Sequence, residues 1–256
     1  MSKIYGMIIP PSELAAWKDQ ALKALYWDGV VMLPWVWPAN EIVEYQNYMR
    51  SRPLYNAHVM AKSDGVPRKL GEAETLSYDM ADTVAAPHFF EFAVQFTDIV
   101  EEYLGSTPHM YSLNAFWTKP GSSALNPDIQ MWHRDRDDTK FLALFMYGTD
   151  QIDDGLHHYV KDSHRQNDGQ HRPPLPHEEV VSMAGPAGTL FFEDASGLHM
   201  GDKPNKDARL LAWARWCVSS RPQSYDWDNL RPVKIGSYRP SQKIMESTRL
   251  VVDWNL

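Results

Sequence analysis

The chain has 256 residues, of which 43% are hydrophobic and 12% aromatic, and its formal net charge is −8 at pH 7. This length and composition suit a folded chain with a large apolar core and exclude a disordered one. Because lysines and arginines are scattered, nothing indicates a nucleic-acid footprint or a basic membrane-binding surface. Cys217 is the single cysteine, which excludes an intramolecular disulfide and a cysteine-rich metal site.

The start of the chain lacks the basic and long apolar segments of a secretory signal. No apolar run approaches the ~20 residues that a membrane span requires. We therefore expect a soluble, cytoplasmic protein with neither a membrane nor a nucleic acid as partner. Its oligomeric state cannot be inferred from composition.

Helical patterns predominate before residue 108. The three predicted helices cover residues 12–26, 41–51 and 88–104. Asn40 is predicted to cap the second helix, and Gly105 to end the third. A short strand, Val30–Leu33, is predicted between the first two helices and is ended by Pro34. Residues 55–83 are polar and irregular, and we predict a loop there that could fold over a site.

After the third helix the hydrophobic pattern changes to strands separated by Gly, Pro, Asp and Asn turns. The predicted strands are Met110–Thr118, Met131–Asp135, Phe141–Tyr147, His157–Val160, Val180–Met183, Thr189–Glu193 and Leu210–Val218. Helices first and many short strands later favour an antiparallel β core with helices packed outside. We predict one domain over residues 1–256, with a helical part (1–108), a β core (mainly 109–220) and a C-terminal extension (221–256).

A candidate metal site begins at His133 and Asp135, whose side chains point to the same face of an extended segment. Alone this pair is weak evidence for a metal site, because the charged residues around it also fit a solvated turn. His199 follows a predicted strand, and Arg209 opens the next one, so the turn between them can bring the arginine back toward the histidine. Two imidazoles and one carboxylate bind one face of a non-haem Fe(II) and leave the other open. The planar guanidinium of Arg209 suits one carboxylate of a dicarboxylic co-substrate.

His133-Arg134-Asp135 also matches the catalytic loop of protein kinases. That loop requires an asparagine five residues after the aspartate, and Lys140 stands there. The chain also lacks the glycine-rich phosphate loop and the Asp-Phe-Gly motif, so the kinase interpretation is excluded.

With these motifs the chain resembles, over nearly its whole length, the phytanoyl-CoA dioxygenase-like branch of the Fe(II)/2-oxoglutarate-dependent oxygenases. Segments similar to the family's opening helix-strand-helix and to the strand before the metal motif are ALKALYWDGVVMLPWVWPANEIVEY and VEEYLGSTPHMYSLNAFWTKPGS. WHRDRDD contains the first two ligands, and GPAGTLFFEDASGLHMGDKPNKDAR contains the third ligand and the arginine. In MYGTDQIDDGLHHYVKDSHR, however, Asp154, Lys161 and Asp162 replace the family's usual Asn, Pro and Gly.

The resemblance implies a mainly β fold with flanking helices and a double-stranded β-helix core, a jelly roll of the cupin type. It implies that His133, Asp135 and His199 bind Fe(II) as the catalytic centre. Arg209 would pair with the distal carboxylate of the co-substrate 2-oxoglutarate, and O2 would complete the reactants. Related halogenases have a small residue at the position of Asp135, so its carboxylate favours hydroxylation.

Five further residues are candidates for the site. Asn114 and Lys140 lie on strands flanking the metal motif, and either could bind the C1 carboxylate of 2-oxoglutarate. Trp213 and Arg215 share one face of their strand. Arg215 could hold a polar substrate or form a strand-end salt bridge. His157 could face the cavity and contact substrate, or be a partly exposed strand histidine.

We therefore expect a non-haem Fe(II)/2-oxoglutarate-dependent dioxygenase that hydroxylates a small or medium polar metabolite. Succinate and CO2 would be the products of 2-oxoglutarate. Desaturation, cyclisation, epimerisation or halogenation with the same cofactors are alternatives. A non-catalytic jelly-roll module that binds a ligand is a further alternative, against which the intact set of four residues argues.

Overall fold

The computed structural model describes residues 7–55, 66–73, 75–121, 125, 127–166 and 169–219. The predicted C-terminal extension, 221–256, lies outside the described residues. Every strand pairing among the described residues is antiparallel. Among these residues, no helix has both the length and the apolar composition needed to cross a bilayer.

Six α-helices are described, and five of them precede residue 108. They are α1 (Pro11–Trp27), α2 (Ala39–Arg50), α3 (Met80–Val84), α4 (Phe89–Ala93), α5 (Thr97–Leu104) and α6 (Pro127–Gln130). Pro38 rather than Asn40 occupies the cap position of α2. The predicted third helix is divided by a 3-10 turn, Val94–Phe96. It ends at Gly105, whose φ of 74° is a left-handed conformation that glycine adopts freely.

The strands form two sheets. They are β1 (Val30–Val36), β2 (Leu54–Tyr55), β3 (Pro67–Arg68), β4 (Thr75–Tyr78), β5 (His109–Thr118), β6 (Phe141–Tyr147), β7 (His157–Val160), β8 (Val180–Met183), β9 (Thr189–Glu193), β10 (His199–Gly201) and β11 (Arg209–Cys217). The large sheet has the order β1-β9-β6-β11-β5-β4-β2-β3, and the small sheet has the order β10-β7-β8.

Two strand predictions were wrong. β1 does not end before Pro34 but continues to Val36, because β1 is an edge strand where the missing N–H of proline costs no ladder hydrogen bond. Met131–Asp135 is not a strand. Only His133 in this segment pairs, through a single bridge to His199.

The prediction of a loop over residues 55–83 was also wrong for its described part. Thr75–Tyr78 pairs with β5, and the short strands β2 and β3 extend the sheet beyond it. Residues 56–65 and 74 lie outside the described residues.

Alternation along the central strands sorts side chains onto two faces of the large sheet. One face packs against the helices, as in the contact of Phe192 with Phe96 at 5.4 Å between ring centroids. The other face packs against Tyr159 and Met183 of the small sheet. Its apolar members include Phe116, Phe145, Tyr147, Phe191, Leu211 and Trp213. The predicted β core with helices outside is therefore confirmed, and the functional cavity lies between the sheets.

Candidate metal centre and co-substrate pocket

His133, Asp135 and His199 come together where two backbone segments meet. The backbone N–H groups of His133 and His199 each donate to the other's carbonyl oxygen at 2.9 Å. The backbone N–H of Asp135 donates to the carbonyl of Ala195 at 2.9 Å. One possible ligand atom from each of the three predicted ligands consequently lies within 4.8 Å of the others. The Nε2 of His133 is 3.7 Å from Oδ1 of Asp135.

Hydrogen bonds orient both imidazoles for metal binding. The Nδ1–H of His133 donates to the carbonyl of Met131 at 2.7 Å, and the Nδ1–H of His199 donates to that of Gly197 at 2.9 Å. Because a carbonyl only accepts, the proton sits on Nδ1 and the lone pair of Nε2 remains for a metal. Burial lowers the pKa of His199 to about 4, so this imidazole is neutral at pH 7. The donor set therefore fits a divalent transition metal.

Arg215 contacts the carboxylate of the triad. Its Nη2 lies 2.9 Å from Oδ2 of Asp135, and its Nη1 donates to Oδ2 of Asp137 at 2.9 Å. Burial acts to raise the pKa of Asp135, but Arg215 and the neighbouring imidazoles outweigh burial and lower it. The carboxylate is therefore ionised and available to a cation.

The triad lines a cavity of about 270 Å³ between the sheets. Aromatic and aliphatic side chains supply most of the rest of the wall. The lining residues are Phe116, Ile129, His133, Asp135, Asp137, Phe145, His157, His199, Gly201, Arg209, Leu211, Trp213 and Arg215. Seven of the nine predicted site residues therefore line this cavity, whereas Asn114 and Lys140 are not among its lining residues.

Arg209 is fully buried in the same cavity. Its Nη1 donates to the carbonyl of Gly155 at 2.8 Å. Its Nε and Nη2 have no hydrogen-bond partner among the described residues. A buried guanidinium with unsatisfied N–H groups is costly unless an anion accepts from them. The residues present therefore fit a carboxylate ligand here.

Gly201 allows Arg209 this position. A Cβ on Gly201 would lie 2.8 Å from Nη2 and 3.0 Å from Nη1 of the guanidinium. A side chain at this point of β10 would therefore displace the arginine from its place in the cavity.

Asn114 lies on the inner face of β5, opposite Trp213 of β11. Its Oδ1 accepts from the backbone N–H of Ala115 at 2.6 Å, whereas its buried Nδ2 has no partner among the described residues. Thr118, opposite Arg209, also has a buried hydroxyl without a partner in the described part of the chain. Thr118 was not predicted, although it belongs to the same predicted strand as Asn114, and alternation places the two on one face.

The structure does not bring Lys140 to the cavity. Its ammonium donates to the carbonyl of Tyr103 on α5 and lies 4.5 Å from the centroid of that tyrosine ring. Lys140 immediately precedes β6, and its side chain turns to the helix side of the sheet. The prediction that it meets the co-substrate therefore finds no support in the structure.

His157 does line the cavity and is held by Glu193, which sequence reasoning treated only as a strand end. The Nε2 of His157 is 2.7 Å from Oε2 of Glu193. Glu193 is fully buried, and burial raises its pKa to about 7. The imidazole of His157 stacks on that of His199, with ring centroids 5.6 Å apart. An acidic residue closing the apolar run TLFFE was the available signal.

No family model matches the chain, and no curated protein matches it. Solved structures are similar to it. HygX from Streptomyces hygroscopicus, with nickel and 2-oxoglutarate bound, has a TM-score of 0.58 at 13% identity, covering 78% of this chain and 87% of that one. SnoK, a non-haem alpha-ketoglutarate-dependent carbocyclase from nogalamycin biosynthesis, has a TM-score of 0.58 at 15% identity, covering 82% and 88%.

EctD from S. alaskensis, with bound Fe, has a TM-score of 0.54 at 15% identity, covering 86% of this chain and 81% of that one. At these identities the similarity concerns the fold. The chain has the jelly-roll fold of these metal-dependent proteins, and the predicted fold class is confirmed.

Proposed function

We propose that this protein is an Fe(II)- and 2-oxoglutarate-dependent oxygenase. The observation that carries the proposal is that a His-Asp-His set lines one cavity with a buried arginine, two of whose nitrogens have no partner among the described residues. HygX, which has the same fold, binds nickel and 2-oxoglutarate in its crystal structure, and this supports the assignment.

His133, Asp135 and His199 would hold Fe(II), and Arg209 would hold the distal carboxylate of 2-oxoglutarate. When bound, the iron and co-substrate supply the oxidising chemistry with O2, which yields succinate and CO2. The protein's part is to position the reactants and to exclude competing reactions. Asn114 and Thr118 offer further donors to the co-substrate from the inner face of β5.

The apolar part of the cavity wall is suited to a small or medium organic molecule. Phe116, Ile129 and Trp213 supply apolar surface, and His157 supplies a polar group. The indole N–H of Trp213 donates to Ser112 at 2.8 Å, which fixes the ring against the cavity. We propose that His157 and Trp213 contact a polar metabolite in this cavity.

Hydroxylation is the reaction that we propose, because Asp135 keeps its carboxylate and leaves no place for a halide ligand at that position. SnoK, a carbocyclase, has the same fold, so ring closure is the alternative to be tested by product identification.

The test is an anaerobic titration with Fe(II) and then 2-oxoglutarate, monitored by the weak visible charge-transfer band. We expect the band in the wild type and none in Asp135→Ala.

Arg209→Met removes a charge-assisted contact of about 2–3 kcal/mol, so the dissociation constant for 2-oxoglutarate should rise roughly 30- to 150-fold. Arg136→Met, on the exposed side of the same motif, is the matched control. A wild type without the band would contradict the proposal and favour the ligand-binding module.

A further inference from the structure

We propose that Arg215 is a positioning residue that holds Asp135 as a one-oxygen metal ligand, an inference that rests on the proposed function. The two oxygens of Asp135 have different surroundings. Oδ1 lies 3.7 Å from Nε2 of His133, on the side where the ligand atoms converge. Oδ2 lies 2.9 Å from Nη2 of Arg215. One oxygen therefore faces the converging ligand atoms, and the other forms an ion pair with the guanidinium, without a hydrogen bond among the described residues.

The guanidinium is itself fixed. Nη1 donates to Oδ2 of Asp137 at 2.9 Å, and the hydroxyl of Tyr111 donates to that same oxygen at 2.5 Å. The guanidinium carbon lies 5.1 Å from the centroid of the Trp213 ring, within cation–π range. Arg215 is 8% exposed. Because the planar guanidinium of Arg215 contacts the carboxylates of both Asp135 and Asp137, it has little freedom to move away from Asp135.

The sheet provides the space for this arrangement. Ala143 of β6 pairs with Arg215 of β11 on one side and with Glu193 of β9 on the other. The small side chain of Ala143 leaves room for both long side chains on the same face.

The functional consequence concerns the number of positions left on the metal. A carboxylate binds a cation through one or both of its oxygens. If Asp135 used both, the triad would fill four positions of an octahedral site and leave too few for a chelating 2-oxo acid and a third ligand. By engaging Oδ2, Arg215 keeps that last position open. Of the two roles considered for Arg215, the ion pairs favour the salt bridge over a contact with substrate.

The test counts the open position with nitric oxide as a ligand of Fe(II), and Arg215→Lys is the variant that keeps the positive charge. Wild type, Arg215→Met and Arg215→Lys are loaded anaerobically with Fe(II) and 2-oxoglutarate, and the bound iron is measured after gel filtration. The nitrosyl electron paramagnetic resonance signal is then followed during titration. We expect roughly 10-fold weaker nitric oxide binding in Arg215→Met and partial rescue in Arg215→Lys, with Arg136→Met equal to the wild type.

Each outcome decides the inference. Loss of the charge-transfer band with iron still bound in Arg215→Met would also support it, because Asp135 would then occupy a co-substrate position. Equal nitric oxide affinity in all variants would overturn it, as would loss of the iron itself. If Arg215→Met does not fold, Arg215→Lys decides by the same measurements. A wild type that gives neither band nor signal would instead defeat the proposed function.

Discussion

At the scale of single residues, the proposed site is marked by buried polar groups. Some of their hydrogen-bond donors have no acceptor among the described residues. Arg209 makes one hydrogen bond while two of its nitrogens have no partner among the described residues. The amide of Asn114 and the hydroxyl of Thr118 are in the same condition. Such groups are destabilising without a ligand, so the buried guanidinium in the cavity wall indicates where an anionic molecule binds.

Gly201 offers a test at this scale that leaves the proposed metal ligands unchanged. We expect Gly201→Ala to displace Arg209, because the added Cβ would lie 2.8 Å from Nη2. The affinity for 2-oxoglutarate should fall about 10-fold, the equivalent of one weakened charge-assisted hydrogen bond. Anaerobic titration of the charge-transfer band measures this.

Met200→Ala is the control, because Met200 points away from Arg209 on the opposite face of β10. Unchanged 2-oxoglutarate affinity in Gly201→Ala would show that Arg209 does not hold the co-substrate.

At the scale of elements, the metal motif is secured by a residue with no part in ligation. Arg134 lies between His133 and Asp135, and the charges of this segment suggested a solvated turn. The side chain is instead buried, at 3% exposed. It donates to the carbonyls of Ser163 at 2.8 Å and Ser196 at 2.9 Å. It thereby connects the segment carrying two candidate ligands to the turn before the third.

We expect Arg134→Ala to lower the free energy of unfolding by about 2–4 kcal/mol, because several buried carbonyls would lose a charged donor. Arg136→Ala, whose side chain is exposed, should change it by no more than about 0.5 kcal/mol. Denaturant unfolding of the metal-free proteins measures both. Equal stability of the two variants would contradict the structural role of Arg134.

The strands also show which parts of the fold could be predicted from the sequence. β6, β7, β8 and β9 have the predicted bounds, because short runs of strand-forming residues between turn residues mark strands locally. β10 and the strands between residues 54 and 78 were missed, because short strands depend on pairing with distant segments. That the three proposed metal ligands and Arg209 share one cavity could be predicted from residue type and order. The pairing of Glu193 with His157, and the turning of Lys140 to the helix side, depend on register that one sequence does not contain.

At the scale of the whole molecule, the proposed metal would join two separate parts of the chain. His133 and Asp135 precede β6, whereas His199 belongs to β10 of the small sheet, and among the described residues a few hydrogen bonds join the two segments. A ligand that binds only the folded state stabilises it by mass action. Metal should therefore stabilise the fold as well as support activity.

We expect Co(II) at 100 times its dissociation constant to stabilise the wild type by about 2.7 kcal/mol, with a corresponding rise in the melting temperature. Chelation should reverse the rise, and His199→Ala should abolish it. His158→Ala, which removes a half-buried histidine of β7 outside the triad, should retain it. A rise of the same size in His199→Ala would place the metal elsewhere.

The most direct test of the central claim is a crystal structure of the protein prepared anaerobically with Fe(II) and 2-oxoglutarate. We expect iron bonded to His133, Asp135 and His199, with the distal carboxylate of 2-oxoglutarate accepting hydrogen bonds from Arg209. Iron bound away from these three side chains, or a cavity in which Arg209 does not contact the co-substrate, would contradict the account.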